Sequence, residues 1–183
     1  MADFPSVGIQ KMTMRLSSVT AVAQSPFTYE QQVYQHQGVR WEAEITLAPL
    51  TQANAKTVEA FLAGLRGQAT TFTLGNPLHN VSGGSGSVTA ATIGATTITG
   101  SVSGGAGVGD YFQLGTRLHI ITAVNSGGGT LTVMPPARDT ISSSTSMDFS
   151  LPKAEWRLAS NQIEWDINVA SIYGFTFACV EAL

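Results

Sequence analysis

The stretch GVRWEAEITLAPL, residues 38–50, has the most regular alternation of apolar and polar side chains in the chain. A period of two places successive side chains on opposite faces of a β-sheet, so one face of this strand is predicted to be buried. A shorter alternation over residues 11–16 predicts a second strand of the same kind. The predicted core-facing side chains are Val39, Trp41, Ala43, Ile45 and Leu47, and Met12, Met14 and Leu16.

The segment between these strands, SSVTAVAQSPFTYEQQVYQHQ over residues 17–37, mixes polar and aromatic side chains and is broken by Pro26. This composition is typical of a long hairpin or arm. A solvated loop has little use for three aromatic side chains, and aromatic residues are favoured anchors at interfaces. We predict a contact with another chain, with packing onto the chain's own core as the alternative. The predicted subunit-interface residues are Phe27, Tyr29, Val33 and Tyr34.

One helix is predicted over residues 52–66. Thr51 is placed to act as its N-cap and Gly67 to end it. Its apolar side chains recur at helical spacing, so one stripe is expected to be buried. The following stretch, TTFTLGNP, predicts a short strand that ends at an Asn-Pro break. The apolar stripe consists of Val58, Phe61, Leu62 and Leu65.

From about residue 81 the chain changes to short β-favouring pieces separated by glycine-rich turns. Pieces of strand length at about ten-residue spacing predict a small β-barrel or sandwich. A flexible linker is the alternative, and the apolar content argues against it. We therefore predict an inserted β-domain over residues 79–150. Its apolar positions are Val88, Ile93, Ile98, Phe112, Leu118, Ile120, Leu131 and Val133.

The last section returns to the pattern of the first. Residues 163–169 alternate apolar side chains with acidic or amide side chains, which predicts a long strand with one buried face. Phe175, Phe177 and Cys179 predict a second apolar face. Residues 1–78 and 151–183 are therefore predicted to form one discontinuous sheet-plus-helix domain. The apolar members of the alternation are Ile163, Trp165, Ile167 and Val169.

Charge is scarce. Charged residues make up 11% of the chain and the net charge is -3, whereas a typical globular protein has about a quarter charged residues. Such a surface protects a lone monomer poorly against self-association, so partner chains are expected to cover part of it. The nine basic residues are scattered, which argues against a nucleic-acid-binding face.

Membrane and secretion signals are weak. No apolar run approaches the roughly eighteen residues of a membrane-spanning helix. The first ten residues, MADFPSVGIQ, lack the basic start and apolar core of a secretory signal. A soluble protein made in a cytoplasm is the expectation. The single cysteine, Cys179, lies in an apolar run and is expected to be a buried, inert thiol.

The stretch GDYFQLGTRLHIIT, residues 109–122, concentrates polar side chains that could carry chemistry. An Asp after Gly at the start of a strand commonly hydrogen-bonds nearby backbone amides, so Asp110 is predicted to hold a turn rather than act as a general base. His119 alternates with Leu118 and Ile120 and is expected to be exposed or hydrogen-bonded. The stretch is therefore interpreted as structural.

Other chemical motifs are missing from the sequence. His36 and His79 stand in unrelated contexts without metal-ligand spacing. GGSGS is followed by no predicted helix, so it is neither a nucleophile elbow nor a phosphate-binding loop. The acidic pairs within residues 42–44 and 164–166 are expected to solvate the outer face of a sheet. We predict no catalytic residue, no metal site and no cofactor.

Taken in order, several segments resemble the distal tail protein of long-tailed (siphovirus-type) bacteriophages. SPFTYEQQVYQHQGVRWEAEITLAPL is followed by AFLAGLRG, TTFTLGNP, GDYFQL, GTLTVMPPARD and AEWRLAS. The resemblance covers nearly the whole chain. It implies a mostly β fold with one helix, in which the terminal segments form a tail-tube-like β-sandwich or split-barrel ring domain. The insertion would form a small β-domain on the outside of the ring.

The resemblance also implies a structural virion component and not an enzyme. Members of this family form a homo-hexameric ring that joins the tail tube protein to the tail-tip hub or baseplate. Such a ring is assembled in the host cytoplasm, becomes part of the phage tail and leaves an axial channel. A weakly charged, acidic ring would let DNA pass without specific binding. The single compact insertion departs from relatives that carry a large additional domain.

Three alternatives remain open. The chain could be the tail tube protein itself, which the sequence does not distinguish from the distal ring. It could be a carbohydrate-binding β-module for host attachment, since Tyr111 and Trp156 are expected to be exposed in or near the insertion. A hydrolase is the most distant alternative.

Overall fold

The structure is a computed structural model that describes residues 2–75, 81, 83–125, 129–167 and 172–183. In this part of the chain it is mostly β-structure with one α-helix, the α+β class predicted from the sequence. The elements in chain order are β1 Ala2–Asp3, β2 Ile9–Gln24, β3 Gln31–Leu47, α1 Gln52–Gly64, a 3-10 turn Gly67–Ala69, β4 Phe72–Gly75, β5 Ser85–Ala90, β6 Thr97–Ser103, β7 Tyr111–Leu114, β8 Arg117–Val124, β9 Gly129–Met134, β10 Thr145–Met147, β11 Lys153–Leu158, β12 Trp165–Ile167 and β13 Tyr173–Glu181.

The chain termini build a seven-stranded mixed sheet. Its strand order is β1-β4-β11-β13-β3-β2, and β12 pairs with the start of β13. The β1–β4 pair is parallel and the remaining pairs are antiparallel. The alternation over residues 38–50 is confirmed, because all five side chains predicted to face the core are buried.

Helix α1 covers the apolar face of this sheet. Val58 and Leu62 are buried against it, and the ring of Phe61 meets that of Phe4 edge-on at 5.4 Å. Phe4 lies on the segment between β1 and β2, so that segment closes one side of the core. The predicted apolar stripe of the helix is therefore confirmed.

The middle of the chain builds a second, six-stranded sheet with the order β10-β5-β6-β9-β8-β7. The sheet curls until it is nearly closed, because Gln113 in β7 exchanges two backbone hydrogen bonds with Asp148, just after β10. Its interior is a separate cluster of buried side chains. Most of the predicted apolar positions are buried, whereas Ile93 is exposed and Leu118 joins the core of the other sheet.

The two ends of the middle section lie side by side, because the amide of Val81 donates to the carbonyl of Phe149 at 3.2 Å. The two sheets also touch each other. Leu118 and the half-buried Tyr111 pack against the core of the seven-stranded sheet. The division of the chain into a terminal domain and an inserted β-domain over residues 79–150 stays a prediction.

The helix begins at Gln52 as predicted and ends at Gly64, two residues before the predicted end. Thr51 stands at the N-cap, but its side chain makes no capping hydrogen bond. The helix ends at Gly64 because the chain turns left-handed at Arg66 and Gly67, with φ of 54° and 65°. A Cβ on Gly67 would stand 2.7 Å from Oδ1 of Asn161, so a glycine is required there by space as well as by backbone conformation.

The predicted long strand over residues 163–169 is wrong within the described residues. Strand β12 has three residues, all of them exposed, and the position of Val169 lies outside the described part of the chain. The alternation was present, but among the described residues no element covers the side chains of Trp165 and Ile167, which stay exposed. By contrast Phe175 and Cys179 are buried as predicted.

No helix in the described ranges is both long and apolar enough to span a membrane.

Candidate assembly surface

Strands β2 and β3 continue beyond the body of the protein as a two-stranded arm, which we define as residues 17–38. The pairing runs without a gap from Thr20 opposite Gln35 to Gln24 opposite Gln31. On the sheet side, β13 pairs with β3 only between residues 42 and 46. The arm therefore has no third strand among the described residues, and the long hairpin predicted from residues 17–37 is confirmed.

A compact turn closes the arm at residues 25–30. The amide of Ser25 donates to the carbonyl of Glu30 at 2.9 Å, and the amide of Tyr29 donates to the carbonyl of Ser25 at 3.0 Å. The hydroxyl of Ser25 accepts from the amides of Phe27 and Thr28. Tyr29 adopts a left-handed backbone with φ of 57°. The turn thus has its own hydrogen bonds and presents Phe27 and Tyr29 at the tip.

All four predicted interface residues are exposed on this arm. Phe27 is 92% exposed and Tyr29 75% exposed, and Val33 and Tyr34 each expose more than half of their surface. Sequence reasoning missed Val22, which lies directly opposite Val33 and is equally exposed. Within one chain the arm side chains do not fold back onto the core, so that alternative is wrong. Their contact with a second chain stays a prediction.

The arm combines apolar exposure with almost no charge. Between Arg15 and Arg40 the sequence contains a single Asp, Glu, Lys or Arg side chain, Glu30. Exposed strand edges normally carry charges or prolines that prevent pairing with other chains. Strand β2 is the last strand of its sheet and leaves its outer edge unpaired among the described residues. An isolated two-stranded hairpin in water is at best marginally stable.

The base of the arm is anchored to the six-stranded sheet. The guanidinium of Arg138 donates to the carbonyl of Val39. Next along the strand, the indole Nε1 of Trp41 donates to the carbonyl of Leu118 at 2.9 Å. The amide of Trp41 donates to Oε2 of Glu181 at 3.1 Å. The arm therefore leaves the body from a point held by both sheets.

Glu181 and Arg138 form a buried ion pair at this base, with 3.6 Å between Oε2 and Nη2. Burial raises the pKa of Glu181 above its ordinary 4.5, while the Trp41 amide and the Arg138 guanidinium act in the opposite direction. The second carboxylate oxygen, Oε1, has no hydrogen-bond partner among the described residues. The pair therefore fixes the junction at a free-energy cost, because one oxygen of the carboxylate is buried without a hydrogen bond.

In the polar stretch over residues 109–122, Asp110 holds a turn and His119 is hydrogen-bonded, as predicted. Oδ2 of Asp110 accepts from the amide of Gly107 at 2.8 Å and holds the turn before β7. His119 is buried, stacks on Phe112 with 5.5 Å between ring centroids, and its Nδ1 donates to the carbonyl of Pro135 at 2.9 Å. Burial lowers the pKa of His119 to about 4, and Arg138 and Arg117 add to this effect.

The remaining side chains that were considered as reactive or metal-binding groups lie in separate parts of the fold or outside the described residues. Glu42 and Glu44 pair with Arg40 and Arg15 on the outer face of the seven-stranded sheet. Burial raises the pKa of Cys179, so the thiol stays protonated. Among the described ranges no three His, Cys, Asp or Glu side chains lie together as a metal site would require. His79 lies outside those ranges.

Tyr111 and Trp156, the aromatic pair expected to mark a carbohydrate site, are not both exposed. Trp156 is fully buried, and its Nε1 donates to the carbonyl of Leu74 at 2.9 Å. Tyr111 is half-buried and lies against Trp41, with 5.7 Å between ring centroids. The predicted exposure of Trp156 is therefore wrong, because β11 carries that side chain into the core under α1.

No protein-family model matches the chain, and no curated protein matches it either. Its function is therefore inferred from its own surfaces, of which the arm is the most unusual.

Proposed function

We propose that the protein is a structural, non-enzymatic component of a bacteriophage tail that assembles into a homo-hexameric ring. In this proposal the ring is the distal tail protein, which joins the tail tube protein to the tail-tip hub and leaves a channel for DNA. The resemblance of the sequence motifs supplies the virion context. The single observation that carries the self-assembly is the arm, an exposed apolar hairpin with one charged side chain.

The physical reason to expect self-assembly is the free-energy cost of leaving the apolar side chains of the arm in water. Apolar surface gains about 25 cal/mol for each Å² removed from water. The arm exposes large apolar side chains on both of its faces, for example Val22 and Tyr34. Exposed apolar patches of this kind mark interaction sites in soluble proteins. A partner that covers both faces and an open edge also supplies the missing support for the hairpin.

The weak charge of the chain fits a channel protein. With a net charge of -3 and scattered basic residues, the surface offers no concentrated binding site for phosphates. DNA would pass such a ring without being retained. The buried position of Trp156 removes half of the aromatic pair on which the carbohydrate-binding alternative was based.

Light scattering after size exclusion, followed by negative-stain imaging, tests the proposal. We expect a mass near six times the 19.2 kDa of one chain, and rings with a central hole. Rings that stack into long tubes would instead identify the tail tube protein. A stable monomer at high micromolar concentration, with no rings in the images, would contradict the proposal, and binding of that monomer to glycans would favour a carbohydrate-binding module.

A further inference from the structure

The backbone pairing between β3 and β13 stops where the arm begins. Its last pair joins Glu42 and Val180. On its other side β13 stays paired for longer, because the amide of Ala182 donates to the carbonyl of Glu155 at 3.0 Å. Strand β3 continues back to Gln31. Among the described residues, this part of β3 therefore has β2 on one side and no strand on the other.

The amide of Trp41 and the carbonyl of Val39 face the side that β13 leaves open. In an antiparallel sheet one residue of a strand bonds to one neighbouring strand and the next residue bonds to the other. The carbonyl of Ala178 and the amide of Ala182 bond on the β11 side, so the odd-numbered residues of β13 face β3. Continuing the register by one residue puts Glu181 opposite Trp41, and Val39 is the next residue of β3 that faces this side. A third strand would bond to these two groups.

Two side chains take the place of that strand. Oε2 of Glu181 accepts from the amide of Trp41 at 3.1 Å, and Nη2 of Arg138 donates to the carbonyl of Val39. The same Nη2 lies 3.6 Å from Oε2 of Glu181. The carboxylate thus replaces a strand carbonyl, and the guanidinium replaces a strand amide.

Glu181 departs from the apolar pattern of its own strand. The side chains of Phe175, Phe177 and Cys179 lie on the core face of β13, and the period of two puts Glu181 on that face too. Oε1 of Glu181 and Nε of Arg138 are buried without a hydrogen-bond partner among the described residues. A buried ion pair with such unpaired atoms is a poor source of stability. The pair is better explained by the backbone groups that it holds.

Arg138 ties the arm to the middle of the chain. It belongs to the connection between β9 and β10, and its side chain is 18% exposed. Beside its contact with Val39, the arm and the six-stranded sheet border a cleft of about 220 Å³, whose walls include Gln35, His36 and Met134. An arm that is released by Arg138 therefore has space to move towards the six-stranded sheet.

We propose that the Arg138–Glu181 pair is a positioning element for the arm. It replaces a third strand at Trp41 and Val39 and so sets the direction in which the arm leaves the body. Both residues act on assembly through the arm, without contacting the partner chain. The inference rests on the proposed self-assembly, because a closed ring requires the same geometry at every contact between neighbours. An arm that is already fixed also loses less conformational entropy on binding than a mobile one.

Pulsed EPR distances between two spin labels test the direction of the arm. Gln24→Cys near the arm tip and Asn54→Cys on α1 carry the labels, and both positions are exposed. The native Cys179 is buried and its thiol stays protonated, so it is not labelled. On chains diluted to the monomer, we expect one narrow distance.

A double variant removes the positioning contact. Arg138→Met combined with Glu181→Gln removes the donor to Val39 and leaves an acceptor at position 181. The single distance is expected to broaden into a distribution. Arg15→Met combined with Glu44→Gln is the matched control, since it removes an exposed pair from the outer face of β2 and β3. The control should keep one narrow distance.

The same variants test the effect on assembly. Arg138→Met with Glu181→Gln keeps every side chain of the arm, yet we expect its self-association to weaken at least ~10-fold, because the arm must then be ordered on binding. The urea midpoint should stay close to that of the parent, since replacing a buried ion pair is often neutral for stability. A pair that only stabilised the fold would instead lower the midpoint and leave the association of the folded chain unchanged.

Glu181→Gln alone separates hydrogen bonding from charge. It keeps an acceptor for the Trp41 amide and leaves Arg138 on the Val39 carbonyl, so the distance should stay narrow and association should stay normal. If the double variant folds poorly, this single variant still tests the inference. A broad distance would show that attraction between the charges holds the arm, and would overturn the replacement of a strand.

The outcomes separate this inference from the proposed function. One narrow distance in a well-folded double variant would overturn positioning by the pair, and a broad distance with unchanged association would overturn its role in assembly. A parent chain that remains monomeric at high micromolar concentration would contradict self-assembly. The EPR distances, measured on single chains, would still test the positioning of the arm.

Discussion

The indole nitrogen of Trp41 donates a 2.9 Å hydrogen bond to the carbonyl oxygen of Leu118, and this bond joins a strand of one sheet to a strand of the other. The side chain of Leu118 lies in the same core as Trp41, although β8 belongs to the six-stranded sheet. Nearby, the guanidinium of Arg117 donates to the carbonyl of Ala182. The two sheets are therefore coupled at the base of the arm.

Trp41→Phe is expected to weaken this coupling. The substitution removes the indole donor and leaves the Leu118 carbonyl buried without its partner, which costs about 1–3 kcal/mol. We expect a lower midpoint in urea and a broader or split transition, because the two sheets then unfold less cooperatively. Trp156→Phe is the matched control, since its lost bond to the Leu74 carbonyl lies within the seven-stranded part. A single sharp transition for Trp41→Phe at the parent midpoint would contradict the coupling.

Acid is expected to destabilise the protein through His119. Its pKa in the folded chain is about 4, against an ordinary 6.5, so folding favours the neutral ring. The stabilising contribution is complete above pH 6.5 and is lost as the pH falls towards 4. A difference of this size corresponds to about 3 kcal/mol. The charge of Asp139 raises the pKa of His119, but this effect is smaller than the lowering by burial.

His119→Asn separates this effect from simple loss of packing. The Asn side-chain amide can still donate to the Pro135 carbonyl, while the smaller side chain is expected to lower stability at every pH. Urea unfolding at several pH values between 7.5 and 4.5, run on parent and variant, gives the comparison. The variant should show a shallower loss of stability on acidification, and an unchanged slope would exclude His119 as its source.

Glu181 is expected to change the stability of the protein with pH in the opposite direction to His119. Its pKa is raised by burial, so the folded chain holds a proton more tightly than the unfolded chain. The stabilising contribution of Glu181 is complete below its ordinary pKa of 4.5. It is lost as the pH rises through the raised pKa of the folded chain. Glu181→Gln should remove this loss. Glu181→Ala should instead cost about 3–5 kcal/mol, because the largely buried charge of Arg138 then loses its carboxylate partner.

Glu44→Gln is the matched control for Glu181. Glu44 also pairs with an arginine, but the Arg15–Glu44 pair is exposed on both sides. Such pairs contribute about 0–1 kcal/mol. Denaturant unfolding at pH 5 and pH 8 should therefore show little change for Glu44→Gln. Equal effects of the two glutamine variants would show that burial is not what distinguishes Glu181.

Local periodicity was sufficient to predict some elements and not others. The alternation over residues 38–50 predicted a buried face correctly, because that face of β3 lies in a core completed by α1 and by Leu118 and Tyr111 of the other sheet. The same pattern at Trp165 and Ile167 was misleading, since alternation shows that two side chains share a face but not whether another element covers it. The exposed tip of the arm was predicted from composition, but its opposing pair of Val22 and Val33 depends on strand register.

Long-range partners explain the remaining errors. Trp156 was expected at the surface, yet its hydrogen-bond partner, Leu74, lies 82 positions earlier in the chain. Glu181 lies in β13 and Arg138 in the connection between β9 and β10, so no local window contains both members of the pair. The hydrogen bond of His119, one of the two states that the sequence left open, likewise reaches Pro135, 16 residues away. These relationships follow from topology, which a single sequence specifies only indirectly.

The arm provides the sharpest test of the proposed assembly. Changing Phe27 and Tyr29 together to Ser is expected to abolish ring formation. Each aromatic anchor at the centre of an interface typically contributes about 2 kcal/mol or more, so the double change should weaken association by roughly a thousandfold. Light scattering across a concentration series and negative-stain imaging provide the measurement.

The unfolding of the single chain distinguishes the two ways in which this variant could fail to assemble. Both rings are largely exposed in the isolated molecule, so their loss should change the free energy of unfolding by no more than about 0.5 kcal/mol. Changing Ile93 and Val108 together to Ser removes two exposed apolar side chains from the six-stranded part and should leave the rings intact. If the arm variant unfolds at a markedly lower temperature as a monomer, Phe27 and Tyr29 stabilise their own chain. If it assembles as the parent does, the arm tip lies outside the interface and the self-assembly must use another surface.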